Sequence, residues 1–250
     1  MSRAQINWLI GDSLPEHVAL LEAVPGVGNV GKLVVDALVE NNPSALIARI
    51  LHPDMPPHST LDKDGLLAPP SMLVHRVMLS DGRYVVTVTG ELQPMTATGQ
   101  YEVAQAILEM AKSTPQLLVL AGLASEVEEK AIHVICADAR VRSNLQANDI
   151  EVSTSQPEAG MIGVAGLLVS LSSIHQVPAV ALVADTVGAS ADVIAADRLA
   201  GWIEEALGLP LGIDLDTTEE TARKLLASIE VSGSIEEHLG MPAEADDFYV

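Results

Sequence analysis

The stretch VALLEAVPGVGNVGKLVVDALVE, residues 18–40, decides the fold. Its first six residues are a short apolar run and read as a buried strand. Glycines follow at 26, 28 and 31. Val30, Leu33, Val34, Ala37 and Leu38 then recur at helical spacing, so residues 29–40 read as a helix with one apolar face. Residues 45–51 are a second apolar run. Strand, tight turn, helix and strand in succession are the unit from which α/β domains are built.

The alternation continues down the chain. Residues 72–79 and 83–90 flank Ser80-Asp81-Gly82, and an Asp-Gly turn between two β-rich runs is a strong hairpin signal. Residues 101–112 read as a helix stopped by Pro115. Residues 117–121 and 131–137 read as buried strands, 161–176 as a helix and 178–184 as a further strand. Gly163 and Gly166 weaken that helix but suit close packing on a sheet. Helices over 191–207 and 218–239 close the chain. The expected fold is α/β, a layered β-sheet flanked by helices, with the hairpin making the sheet mixed. Residues 1–240 form one domain in this reading. Residues 241–250, after the helix stop at Gly240 and Pro242, form a mobile acidic tail.

Composition narrows the function. Of 250 residues, 48% are hydrophobic but only 2% aromatic, so the core must be built from Ala, Val, Leu, Ile and Met. The formal net charge of -21 argues against nucleic acid or an anionic membrane as partner, since both need a basic patch. A basic protein surface remains open. No apolar run reaches the ~18 residues of a membrane span, and the start has no secretory leader pattern. The single cysteine, Cys136, cannot form an internal disulfide. It reads as a small buried hydrophobe in a protein suited to a reducing cytoplasm.

Two loops, a pair of carboxylates and the ending could carry chemistry. Gly26-Val27-Gly28-Asn29-Val30-Gly31-Lys32 follows a strand and opens a helix, where backbone N–H groups can face an anion. It nearly matches the phosphate-loop pattern, but Leu33 stands where a hydroxyl would hold a metal ion. The favoured reading is a turn whose glycines allow close packing of helix on sheet. His52-Pro53-Asp54-Met55-Pro56-Pro57-His58 groups two histidines and an aspartate that could ligate a metal. The three prolines favour a rigid surface or interface loop instead, and no metal is expected. Glu91 and Asp185 both follow strands and could pair as acid and base. Last, Phe248-Tyr249-Val250 places the one phenylalanine and one of three tyrosines at the very end of the chain. Exposed aromatics there carry a cost unless they meet a pocket.

Taken together, the Gly26–Lys32 loop, the His52–Pro57 loop, Gly90-Glu91-Leu92-Gln93-Pro94 with Gly99-Gln100-Tyr101, Gly122-Leu123, Gly163-Val164-Ala165-Gly166-Leu167-Leu168, and Asp192 with Ala195-Ala196 resemble the archaeal and actinobacterial proteasome assembly chaperone family over nearly the whole length. The resemblance implies a mixed-sheet domain similar to phosphorylase/hydrolase-like folds, a homo-oligomer, and a chaperone without catalysis or cofactor. Family members with a C-terminal hydrophobic-Tyr-any motif insert it between α subunits of the 20S proteasome, and Phe248, Tyr249 and Val250 match that motif position by position. The expected function is a proteasome assembly chaperone or proteasome-binding adaptor. The alternative is a phosphate- or nucleoside-handling α/β enzyme that uses the Gly26–Lys32 loop with Glu91 or Asp185.

Overall fold

The computed structural model describes residues 3–62, 64–126, 130–154, 160–188, 190–213 and 215. The predicted helix over 218–239 and the ending 241–250 lie outside them.

The strand that opens the deciding stretch is the second in the chain. The first, β1 (Gln5–Trp8), is a half-exposed edge strand. β2 (Leu20–Ala23) is buried at every position. A short 3-10 turn leads into α1 (Val30–Asn41), and β3 (Ser44–Leu51) returns. A small hairpin follows, β4 (Thr60–Leu61) with β5 (Leu67–Ala68). The predicted larger hairpin is present as β6 (Met72–Met78) and β7 (Tyr84–Thr89). Its turn is closed by Gly82 at φ 85° and by the Asp81 carboxylate, which accepts from the Arg83 N–H at 3.0 Å.

α2 (Ala97–Met110) starts four residues before the sequence pattern suggests. Thr96 caps it by accepting from the Gly99 N–H at 3.1 Å. β8 (Leu117–Ala124), β9 (Ile132–Ile135), α3 (Ala139–Ala147), α4 (Gly163–His175), β10 (Ala179–Thr186) and α5 (Val193–Leu207) complete the chain as described. Cys136, just past β9, is half-buried rather than fully buried, with its thiol 3.8 Å from the Asp138 carbonyl.

Eight strands form one mixed sheet in the order β1-β3-β6-β7-β2-β8-β10-β9. β7, β2, β8 and β10 run parallel at its centre, and antiparallel pairs finish both sides. Side-chain alternation divides the core. Leu21, Ala23, Leu118, Leu120, Val180 and Leu182 face α1 and α5. Leu20, Val86, Val88, Leu117, Val119 and Ala181 face α2 and α4. The crossovers therefore place the loops after β2, β7, β8 and β10 together along the carboxyl edge of the parallel strands, where α/β folds bind ligands. Among the described residues, no helix is long and apolar enough to cross a membrane.

Candidate functional site

At the carboxyl edge the glycine loop is fixed by packing. Gly28 sits at φ 65° and Asn29 at φ 47°, both left-handed. Asn29 tolerates this because its side chain bonds locally. Its Oδ1 accepts from the Gly26 N–H at 3.3 Å and its Nδ2 donates to the Ser190 carbonyl at 2.8 Å. A Cβ on Gly28 would lie 2.7 Å from the Thr186 hydroxyl, and one on Gly31 would overlap the Leu120 carbonyl. The Asp192 N–H donates to the Gly28 carbonyl at 2.8 Å. The Asp192 carboxylate accepts from the Thr186 hydroxyl (2.6 Å), the Val187 N–H (3.1 Å) and the Ala195 N–H (2.9 Å), which caps α5. The glycine turn, the end of β10 and the start of α5 are thus one bonded unit.

Lys32 does not offer its ammonium to a phosphate. Nζ donates to Asp36 Oδ2 at 2.7 Å and to Glu91 Oε1 at 3.0 Å, and the side chain is 5% exposed. Burial pulls its pKa down, but the two carboxylates more than offset this and hold it above the usual lysine value. A phosphate entering here would meet two carboxylates whose cation is already engaged. The geometry therefore supports the packing reading of the loop.

The proline-rich loop is anchored to α2. The Asp54 N–H donates to His52 Nδ1 at 3.1 Å, so Nε2 carries the proton and donates to Glu102 Oε2 at 2.8 Å. The His52 and Arg3 bonds hold the Glu102 carboxyl down at about 2. Asp54 Oδ2 accepts from the Thr96 N–H and hydroxyl at 2.7 and 2.6 Å. His58 points elsewhere, into a cleft it shares with Arg49, so the three residues do not converge. Among the described residues, no group of three or more His, Cys, Asp or Glu is arranged to hold a metal ion.

Glu91 and Asp185 are not a pair. Glu91 follows β7 whereas Asp185 lies inside β10, and those strands stand three spacings or about 14 Å apart in the sheet order. Asp185 is engaged locally, accepting from the Ala131 N–H at 3.0 Å and bonding His133 Nε2 at 3.1 Å.

The sequence reading missed Glu22. It is fully buried in β2, and among the described residues neither carboxylate oxygen has a hydrogen-bond partner. By alternation it shares the α2–α4 side of the sheet with Leu20. Burial pushes its pKa up to about 8. Among the described residues, buried oxygens of Thr87, Thr89 and Gln93, on or just beyond the neighbouring β7, also lack a partner, but Thr87 and Thr89 pair with Leu21 and Ala23 and so face the α1 side. The available signal was a carboxylate inside an otherwise apolar strand.

Phe248, Tyr249 and Val250 lie outside the described residues. The profile of the PAC2 family matches residues 20–231. The chain belongs to the PAC2 family. It is 24% identical over 220 residues to an uncharacterized protein of Methanocaldococcus jannaschii, covering 86% of this chain and 83% of that one. Its fold is similar to the crystal structure of Pyrococcus furiosus PbaA, an archaeal homolog of proteasome-assembly chaperone, with TM-score 0.67 and 19% identity over 95% of this chain and 98% of PbaA. It is also similar to Pyrococcus furiosus PbaB, an archaeal proteasome activator, with TM-score 0.65 and 20% identity over 96% and 98%. A proteasome-assembly chaperone homologue of Mycobacterium tuberculosis gives TM-score 0.60 and 17% identity over 92% and 98%. At these identities the structural likeness establishes the mixed-sheet fold of PAC2 proteins.

Proposed function

We propose that this PAC2 protein is a proteasome assembly chaperone or proteasome-binding adaptor, and that it acts by docking Phe248-Tyr249-Val250 into pockets between α subunits of the 20S proteasome. The observation that carries the reading is the hydrophobic-Tyr-any ending on a chain of this family. Support comes from solved relatives of the same fold described as a proteasome-assembly chaperone homologue and a proteasome activator. The chemistry is consistent. A Tyr ring fills an apolar slot, while its hydroxyl and the terminal carboxylate bond a basic pocket. The charge of -21 steers the chain toward a basic ring surface. One short tail binds weakly, and several tails on a homo-oligomer gain by effective concentration.

The role proposed is non-catalytic and needs no cofactor. Lys32 is engaged by Asp36 and Glu91, and Glu91 and Asp185 stand three strands apart, so among the described residues the enzyme alternative finds neither a free Lys32 ammonium nor an acid–base pair of those two carboxylates. The test is a pull-down with purified α subunits, comparing the intact chain with one that lacks residues 248–250. Capture by the intact chain alone supports the proposal. Equal capture by both removes the tail from it.

A further inference from the structure

The α1 side of the sheet is covered unevenly. α1 lies against β2, β7 and β8 and touches β6 more lightly, while α5 packs on α1 and β10. β6, β3 and β1 continue the sheet beyond them. The registers show which side chains these strands turn to this side. Leu21 belongs to the α1 core and pairs with Thr87, Thr87 with His75, and His75 with Leu46. Leu73, Arg49 and Leu51 follow on the same side by alternation. Leu46, Leu51 and Leu73 are half-buried and belong to neither core cluster. On the other side of β3, Ala48 and Ile50 are fully buried in the α2–α4 core. An aliphatic strip on β3 and β6 is thus left with only part of its cover.

The chain approaches this strip as its described part ends. After α5, Leu209, Leu211 and Leu215 return to the α1 core. Asn42, at the end of α1, donates from Nδ2 to the Leu211 carbonyl at 2.9 Å. A Cβ on Gly212 would lie 3.7 Å from Asn42 Oδ1 and 3.8 Å from Ser80 Cβ. Asn42 stands just before β3 and Ser80 just after β6. From α5 the chain has therefore crossed the end of α1 and reached the amino end of β3. Beyond Leu215, the PAC2 profile continues to residue 231. Within that stretch Ala222, Leu225, Leu226 and Ile229 recur at helical spacing, and Thr217 with Glu220 has the spacing of a capping box. Ser232-Gly233-Ser234 then breaks the pattern. A helix over 218–231 is about 21 Å long, and the eight residues of β3 span about 26 Å.

We propose that the occupant of the strip is this segment of the same chain. Residues 218–231 form a helix antiparallel to α1, and Leu225, Leu226 and Ile229 close over Leu46, Leu51 and Leu73. The folded domain then ends at residue 231, and residues 232–250 leave from the carboxyl edge with Phe248-Tyr249-Val250 at their end. The docking is independent of what that ending binds.

The test uses the full chain carrying Cys136→Ser, Leu46→Cys and Leu226→Cys, treated with a short bismaleimide. The expected product is a cross-link within one subunit, read by peptide mass. Replacing Leu46→Cys by Ile174→Cys gives no link, since Ile174 is exposed on α4, across the sheet. A second measurement needs no cysteines. Leu226→Asp raises amide exchange in β3 by about tenfold or more, whereas Lys224→Asp, on the opposite face of the helix, leaves it unchanged. A link formed only between subunits assigns the strip to a second copy and overturns the proposal. So does the absence of any link, or a Leu226→Asp chain that exchanges as the parent does. Deleting residues 248–250 leaves link and exchange unchanged, so loss of proteasome capture is read separately.

Discussion

Lys32 and Glu22 lie ten residues apart in one strand–helix unit, both buried, and the fold treats them in opposite ways. Lys32, on α1, keeps its charge because Asp36 and Glu91 are within 2.7 and 3.0 Å. Glu22, on β2, faces the apolar α2–α4 layer, has no hydrogen-bond partner among the described residues, and keeps its proton instead. The difference shows what each side of the sheet is built for. The α1 side carries a polar brace that ties a crossover loop to a helix. The α2–α4 side is apolar up to the end of the strand. A buried charge needs a partner, and where none exists the group is neutral.

The largest expected effect tests the Glu22 half of this comparison. Its folded pKa of about 8 lies above the ordinary carboxyl value of 4.5. The folded state therefore holds a proton that the unfolded chain releases, and the stability this gives is complete below about pH 4.5 and is lost as pH rises through 8. Relative to a Glu22→Gln variant that cannot ionise, the parent should lose about 4 kcal/mol between pH 4.5 and 8. Denaturant melts of both proteins across that range measure the difference directly. A pH-independent difference would mean that Glu22 is charged and paired.

Next comes the seat of the brace. A Cβ on Gly31 collides with the backbone carbonyl of Leu120, which cannot swing aside as a side chain would. Gly31→Val should cost on the order of 3 kcal/mol by lifting α1 from β8. Loss of the cooperative melt or a drop in midpoint denaturant of matching size checks it. A variant of unchanged stability would mean that the glycine serves something other than packing, and would reopen the anion reading of the loop.

How much of this was legible beforehand follows the same division. The apolar periods of residues 20–23, 30–41 and 179–186 are complete in the sequence, and so is the Asp81-Gly82 turn, which is why the central sheet and its helices were readable. α3 was not, because Leu145 is its one buried residue and a polar helix has no apolar period. β1 was missed because its pattern alternates weakly over four residues of an edge strand. The start of α2 depended on the Thr96 cap, ahead of the apolar face. At the carboxyl edge, the sequence shows Lys32 and Glu91 but not that they meet, since 59 residues and a hairpin separate them. It shows Glu22 but not that it is without a partner among the described residues, because pairing is a property of the packed sheet. The weak metal and acid–base readings failed for the same reason. Sequence neighbours such as His52 and His58 point apart, while Glu91 lies just past β7 and Asp185 inside β10, three strand positions away.

A smaller effect sharpens the Lys32 half. Lys32→Met keeps most of the packing and leaves Asp36 and Glu91 without their cation. Both carboxylates retain access to water, at 31% and 59% side-chain exposure, so they can rehydrate. The expected cost is about 1–2 kcal/mol, below that of orphaning a fully buried charge. Urea midpoints at neutral pH check it. A loss well above this range would place Lys32 at the centre of the fold's stability, whereas no loss would leave the ammonium free for another ligand.

The smallest effect on folding, and the one that separates fold from function, belongs to Tyr249→Ala. Read from the sequence as a mobile acidic tail, the ending is expected to add little to the fold, and a change there should move stability by less than about 0.5 kcal/mol. Binding is expected to respond differently. Removing a ring and hydroxyl from a closed pocket costs on the order of 2 kcal/mol per site, and an oligomer that engages several pockets at once multiplies that loss. Tyr249→Ala should thus melt as the parent does and sediment as the same oligomer, yet lose capture by purified 20S α rings. Extending the chain beyond Val250 should do the same, by moving the terminal carboxylate out of reach of its basic partner. If Tyr249→Ala binds α rings as well as the parent, recognition lies on the folded domain. If it instead changes the melt or the oligomer, the ending packs on its own subunit, and the division between a self-sufficient core and a binding terminus is wrong.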